Sequence, residues 1–228
     1  MPADPYFTRD LLKFLSELRA HNNRDWFQKN KERYEERVRD PVLRFIADLA
    51  PRLRKINPHI VADPKPTGGS MMRIYRDIRF SKDKSPYKTA VSMHFGHDKG
   101  GDGAAPSYYM RIAPGGSLLG AGIWRPEPPA LKKIRDAIVA DAKGWRRATS
   151  AGQKGAACSM VGETLQRVPR GYDPDHPLAD DLKRKDFTLG MPLADKEIVG
   201  SSILELTLTK FRKTAPFVQF LSDAVGLP

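Results

Sequence analysis

Ser107-Tyr-Tyr-Met-Arg-Ile-Ala-Pro-Gly-Gly-Ser-Leu-Leu-Gly-Ala-Gly-Ile-Trp124 is the stretch that decides the fold. It holds two period-two segments, 107–114 and 117–124, divided by Pro114-Gly115-Gly116. Period two puts successive side chains on opposite faces of a strand, and a short Gly-rich break reads as the turn of an antiparallel pair. Tyr108, Met110 and Ile112 then share one face, and Tyr109 and Arg111 the other.

Two earlier segments, 71–80 and 90–96, have the same period, and His94 alternates away from Val91, Met93 and Phe95. Proline-rich residues 57–70 and the spacer Gly96–Pro106 read as loops, with Gly100-Gly101-Asp102-Gly103 a flexible hairpin tip. Helices are expected on both sides. Thr8 precedes Leu11, Leu12, Phe14, Leu15 and Leu18 at helical spacing. A second helix runs from about Asn23 or Asp25 to Val38, and Asp40-Pro41 opens a third. Helix returns after Pro126, a Gly/Ala/Ser-rich loop is expected over 150–157, and a short helix over Leu178–Arg184. Two helices close the chain, one from Ser202 to Lys213 behind a Ser202-x-x-Glu205 capping box and one after Thr214. The fold class is α+β, with a central antiparallel sheet over roughly residues 71–124 packed by the N- and C-terminal helices. The expected organisation is a single domain over 1–228.

Composition narrows the function. The chain has 228 residues, 40% of them hydrophobic and 29% charged, with a net charge of +12. That excess favours anionic or phosphorylated partners. The single cysteine, Cys158, excludes an intramolecular disulfide and a Cys-rich zinc site. No apolar run approaches a membrane span and the first residues lack a signal-peptide pattern, so a cytoplasmic protein without a membrane partner is expected.

The chemistry concentrates in Arg73-Ile-Tyr-Arg-Asp-Ile-Arg-Phe-Ser-Lys-Asp-Lys-Ser-Pro-Tyr-Lys88. Arg73, Arg76, Arg79, Lys82, Lys84 and Lys88 face only Asp77 and Asp83 there. Guanidinium groups and lysines in such a fan suit a phosphate or carboxylate. As one regular strand, 72–80 would set Arg76 among Met72, Ile74, Ile78 and Phe80. A cation on an apolar face needs a carboxylate, a ring of carbonyls or an anionic ligand, unless a bulge near Asp77 returns it to the other cations. A solvated face with internal Arg–Asp pairs is the plainer reading.

A second constellation is Arg167-Val-Pro-Arg-Gly-Tyr-Asp-Pro-Asp-His-Pro177. Asp173, Asp175 and His176 could move protons there, but Asp-Pro and Asp-His-Pro are also good turn and helix-entry elements. His94, His97 and Asp98 make a poor metal triad, and neither a metal nor a cofactor is expected. Nucleotide-loop, metalloprotease, nucleophile-elbow and dinucleotide signatures are absent from the sequence. Trp26 and Trp124 read as core.

Several of these pieces together resemble the domain-of-unknown-function family 2461. They are Asn22-Asn23-Arg24-Asp25-Trp26-Phe27 with Asn30-Lys31, the 73–88 stretch with Thr89, Gly120-Ala-Gly-Ile-Trp-Arg-Pro126, and Val168–Pro177. They span most of the chain in order; one departure is Gln166, where such sequences often carry lysine. The resemblance implies one full-length domain and brings no activity. It groups Trp26, Asn30, Arg76, Arg79, Lys82, Lys84, Arg125, Arg170 and Asp173 in shared motifs.

The leading expectation is a binding protein for a small anionic or phosphorylated ligand. Its candidate ligand residues are Arg73, Arg76, Arg79, Lys82, Lys84, Lys88, Arg111, Arg125 and Arg170. One alternative is an enzyme on a phosphorylated or carboxylated substrate, with Asp77, Asp173 or His176 moving protons. Another is a nucleic-acid-binding protein. The oligomeric state is not legible.

Overall fold

Period-two alternation builds a five-stranded antiparallel sheet from β1 (Val91–Phe95), β2 (Ser107–Ile112), β3 (Ser117–Ile123), β4 (Ser159–Val161) and β5 (Phe187–Leu193). The spatial order is β1-β2-β3-β5-β4. The computed structural model describes residues 4–101, 104–153 and 158–228, with main chain only over 151–153. Expectations for Asp102, Gly103 and residues 154–157 lie outside the described residues, while 150–153 of the expected loop are helical.

The alternation is strict where it matters. Val91, Met93, Phe95, Tyr108, Met110, Ile112, Leu119, Ala121, Leu189 and Met191 are buried on one face. The intervening residues fall into cross-strand rows on the other face. Ser92 pairs with Arg111, Arg111 with Leu118, and Leu118 with Pro192. The next row runs His94, Tyr109, Gly120, Gly190 and Ser159.

The helices pack against the buried face. At the N-terminal end α1 (Arg9–Ala20), α2 (Arg24–Lys29) and α3 (Lys31–Tyr34) lead through a π-helical turn, Glu35–Arg39, into α4 (Asp40–Leu53). Phe14, Leu15, Phe45, Ile46 and Leu49 from these helices join β1–β3 in one apolar cluster. A second cluster gathers Ile134 and Ile138 of α5 (Pro128–Ala140), Trp145 of α6 (Ala142–Gln153) and Leu182 of α7 (Ala179–Leu182) against Phe187 and Leu189. The short α8 (Asp195–Ile198) leads from β5 towards α9 (Ile203–Val225), which runs under both clusters.

Several expectations change. The sheet begins at Val91, and 71–80 is not a strand; only isolated bridges, Met71 with Met93 and Tyr75 with Tyr87, occur there. Asp77 accepts from the Arg79 N–H and Asp83 from the Ser85 N–H. Such local side-chain bonds compete with a ladder. Phe187–Leu193, given no strand by the sequence reading, supplies a central one. Its Pro192 lies beyond the Gly190 pairing where β4 stops, so its missing N–H breaks no bond to β4. The two C-terminal helices are one. Pro216 is tolerated inside α9 because Phe211, Phe217, Val218 and Leu221 are fully buried on both sides of it. Glu205 does not form the expected capping box; it pairs with Arg52 of α4.

Candidate functional site

The open face of the sheet carries two concavities. The first, ≈ 410 Å³, lies where the 73–92 segment meets β2 and the end of α1. Four cations from three stretches line it: Arg19, Arg76, Lys88 and Arg111, with Asp83 their one carboxylate among the described lining residues.

Local structure explains how the wall forms. The Arg76 N–H donates to Pro86 O at 2.9 Å and the Lys88 N–H to Ile74 O at 2.7 Å. Residues 74–76 therefore pair back on 86–88, and 77–85 form the loop between them. Asn22 fixes this ribbon to the helices. Its Nδ2 donates to Tyr87 O at 3.0 Å, and its Oδ1 accepts the Tyr87 N–H at 3.0 Å. The side-chain amide thus replaces a strand partner. Phe27 stacks on Tyr87 with centroids 4.1 Å apart, and Asn23 caps α2 by accepting the Trp26 N–H at 2.9 Å. The Asn22–Phe27 and Ser85–Lys88 motifs are two halves of one joint.

Arg76 resolves the alternation puzzle. Its side chain is 26% exposed and pairs with Asp83, so it does not sit on the buried face. The Ser85 hydroxyl and N–H donate to Asp83 at 2.6 and 2.9 Å, and with Arg76 they hold its carboxyl well below the usual range. Lys88 is pulled the other way for a cation: burial, then the charge on Arg73, lowers its pKa below that of an ordinary lysine. Arg111 reaches out of β2 and donates to Gly116 O at 2.6 Å.

The other sequence candidates lie elsewhere. Arg79 makes a two-point pair with Asp77 at 2.7 and 3.0 Å and is 76% exposed. Lys84 donates to Ile78 O at 3.0 Å, and Arg73 and Lys82 are exposed. None of these lines the pocket. Arg125 has φ 50 and donates its N–H to Asp186 at 2.8 Å; Arg170 is exposed on the second motif. Asp173 accepts the Asp175 N–H at 2.9 Å and His176 Nδ1 the Leu178 N–H at 3.1 Å, both turn-forming bonds. Tyr172 docks this motif on α5 through Asp136 at 2.8 Å. Asp186 was missed by sequence reasoning. Nearly buried, it accepts N–H bonds from both Arg125 and Glu163 at 2.8 Å. Nothing local in Lys185-Asp-Phe187 announces that role.

The second concavity, ≈ 790 Å³ and mainly apolar, continues across the same face over Gly120 and Gly190. Trp124, expected in the core, stands at its rim and is 54% exposed, because Ile123 before it takes the buried side. Trp26 is partly buried and packs against the core.

The cluster that could meet a metal ion is not the expected one. His59, rather than His94, joins His97 and Asp98, with ligand atoms within 4.8 Å of one another. His97 Nδ1 accepts the Lys99 N–H at 3.1 Å, and its Nε2 lies 3.2 Å from the Pro228 oxygen. Both ring nitrogens are engaged, so the cluster fastens the end of β1 to the loop before it and to Pro228. Among the described residues, no helix is long and apolar enough to cross a membrane.

The chain belongs to the family described as conserved hypothetical protein (DUF2461), whose model matches residues 10–220. No curated protein and no solved structure matches it.

Proposed function

We propose that this protein binds a small anion, a phosphate or carboxylate, in the pocket between the 73–92 segment, α1 and β2. The observation that carries this reading is the convergence of Arg19, Arg76, Lys88 and Arg111 on one cavity, with Asp83 the one opposing carboxylate among the described residues. Protonated Lys88 is held there at a cost, set by burial and then by the charge on Arg73, which lowers its pKa. An anion relieves it and gains charge-assisted hydrogen bonds. Binding is preferred to catalysis because no histidine lines the pocket among the described residues, and Asp83 is already committed to Arg76 and Ser85. A basic track for nucleic acid is less favoured, because outside the pocket Arg79 is paired with Asp77 and Lys84 is bonded to Ile78 O. We treat 1–228 as one domain, since α9 contributes to both apolar clusters. A cytosolic location accompanies this reading.

Calorimetric titration with inorganic phosphate tests it. Each hydrogen bond to a charged group contributes about 1.5–3 kcal/mol. Arg76→Ala and Arg111→Ala are therefore each expected to weaken binding by about tenfold or more while leaving the melting temperature nearly unchanged. Arg79→Ala should leave affinity unchanged. Phosphate that ignores both pocket substitutions, or a wild-type protein that does not bind it, removes the proposal.

A further inference from the structure

The two concavities share a wall. Ser92 lines the cationic pocket, Tyr109 lines the apolar groove, and their hydroxyls are hydrogen-bonded at 2.7 Å. Arg111 and Tyr109 are neighbours on one face of β2, with Ser107 the next residue on that face and also in the groove. At the rise of a strand, Arg111 to Ser107 spans about 13 Å. One end of this track is positively charged and the other is apolar.

The apolar end is kept open at Gly120. A Cβ on Gly120 would come no closer than 3.4 Å to Tyr109, so the strand does not need glycine there for steric reasons. Its missing side chain leaves the floor bare. Gly190 differs: a Cβ there would lie 2.9 Å from a Val161 methyl, which closes over the floor from β4. Trp124 and Tyr109 supply aromatic walls. Ligand pockets of roughly 300–1,000 Å³ combine such apolar lining with a few placed polar groups.

Resting on the anion reading above, we infer that the ligand is an amphipathic anion: a phosphate or carboxylate joined to a flat aromatic body. The anionic group sits among Arg76, Lys88 and Arg111. The ring system lies over Gly120 against Trp124 and Tyr109. Charge complementarity orients the ligand along the sheet, and apolar burial supplies the added affinity.

Calorimetry with inorganic phosphate, 1-naphthyl phosphate and neutral 1-naphthol separates the two parts. Naphthyl phosphate is expected to bind at least about tenfold tighter than inorganic phosphate, and 1-naphthol more weakly than its phosphate ester. Gly120→Leu fills the floor and should abolish the naphthyl gain while phosphate affinity stays the same. Trp124→Ala, at an exposed rim position that burdens folding little, should reduce that gain. If phosphate binds but the naphthyl group adds nothing, the groove inference fails and the anion reading stands. The inference also fails if the gain survives both substitutions, or if 1-naphthol binds as well as its ester. If neither anion binds, both readings fall together.

Discussion

The two faces of β1–β3 are made from the same strands and differ in almost everything else. On the helix side, Tyr108, Met110 and Ile112 are fully buried, and Tyr108 stacks on Phe211 of α9 at 4.3 Å while donating to its carbonyl at 3.2 Å. On the open side, one residue away in each direction, stand Ser107, Tyr109 and Arg111. Apolar side chains and one satisfied hydroxyl hold the first face together. The second gathers cations around Asp83 and leaves Gly120 bare, arrangements that contribute little to folding. The difference suggests that stability and ligand binding can be separated by sheet face.

The largest effect should come from the buried side. Phe211→Ala removes a fully buried ring and is expected to cost about 3–5 kcal/mol in denaturant unfolding. The folded fraction should still bind phosphate within about twofold of wild type, because an unaltered open face keeps its charge-assisted bonds. A parallel collapse of affinity in protein shown to be folded would mean that the faces are mechanically coupled and the comparison fails.

Asn22 tests the joint between them. It makes both of its bonds to the Tyr87 backbone from a helix–helix link, and it also lines the cationic pocket. Asn22→Ala leaves a partly buried N–H and C=O without that partner, which costs about 1–3 kcal/mol. The ribbon that carries Arg76 and Lys88 loses its anchor, so phosphate affinity should fall as well. Asn22→Asp keeps the acceptor, loses the donor and adds a negative charge at the pocket. Its binding should suffer more than its stability. Equal losses in the two variants would reduce Asn22 to a purely structural clamp.

How much of this was legible follows from the range of the interactions. The hairpin 107–124 announced itself because alternation and a Pro-Gly-Gly turn are local signals. The same alternation placed His94, Tyr109 and Arg111 on the side away from the core. The stretch 71–80 misled because its period mimics a strand, while Asp77 and Asp83 bind their own neighbours and break the ladder. Pro216 suggested a helix break that burial on both sides of it overrides. Arg76 and Lys88 were legible as cations, but their meeting with Arg19 and Arg111 was not, since it depends on the Asn22–Tyr87 clamp between residues 65 apart. Asp186 was invisible for the same reason: its two N–H donors come from Arg125 and Glu163, in other segments of the chain.

The smallest effect is the most specific to the open face. Burial and then Arg73 lower the pKa of Lys88 below the ordinary lysine value. Between that lowered value and the ordinary one, the unfolded chain holds more protons at this position than the folded chain does. Charged Lys88 therefore costs the folded state stability at neutral pH, and this cost is relieved as pH rises through the window. A bound anion reverses the sign, because it favours the protonated lysine. Affinity for sulfate, whose own charge is constant over this range, should therefore decline as pH climbs through the lowered value, while the arginines stay charged. Lys88→Met should bind sulfate more weakly at neutral pH and lose that alkaline decline. Calorimetric titrations across the alkaline range compare the two slopes. Identical slopes would place Lys88 outside the anion's reach and leave the open face with its arginines alone.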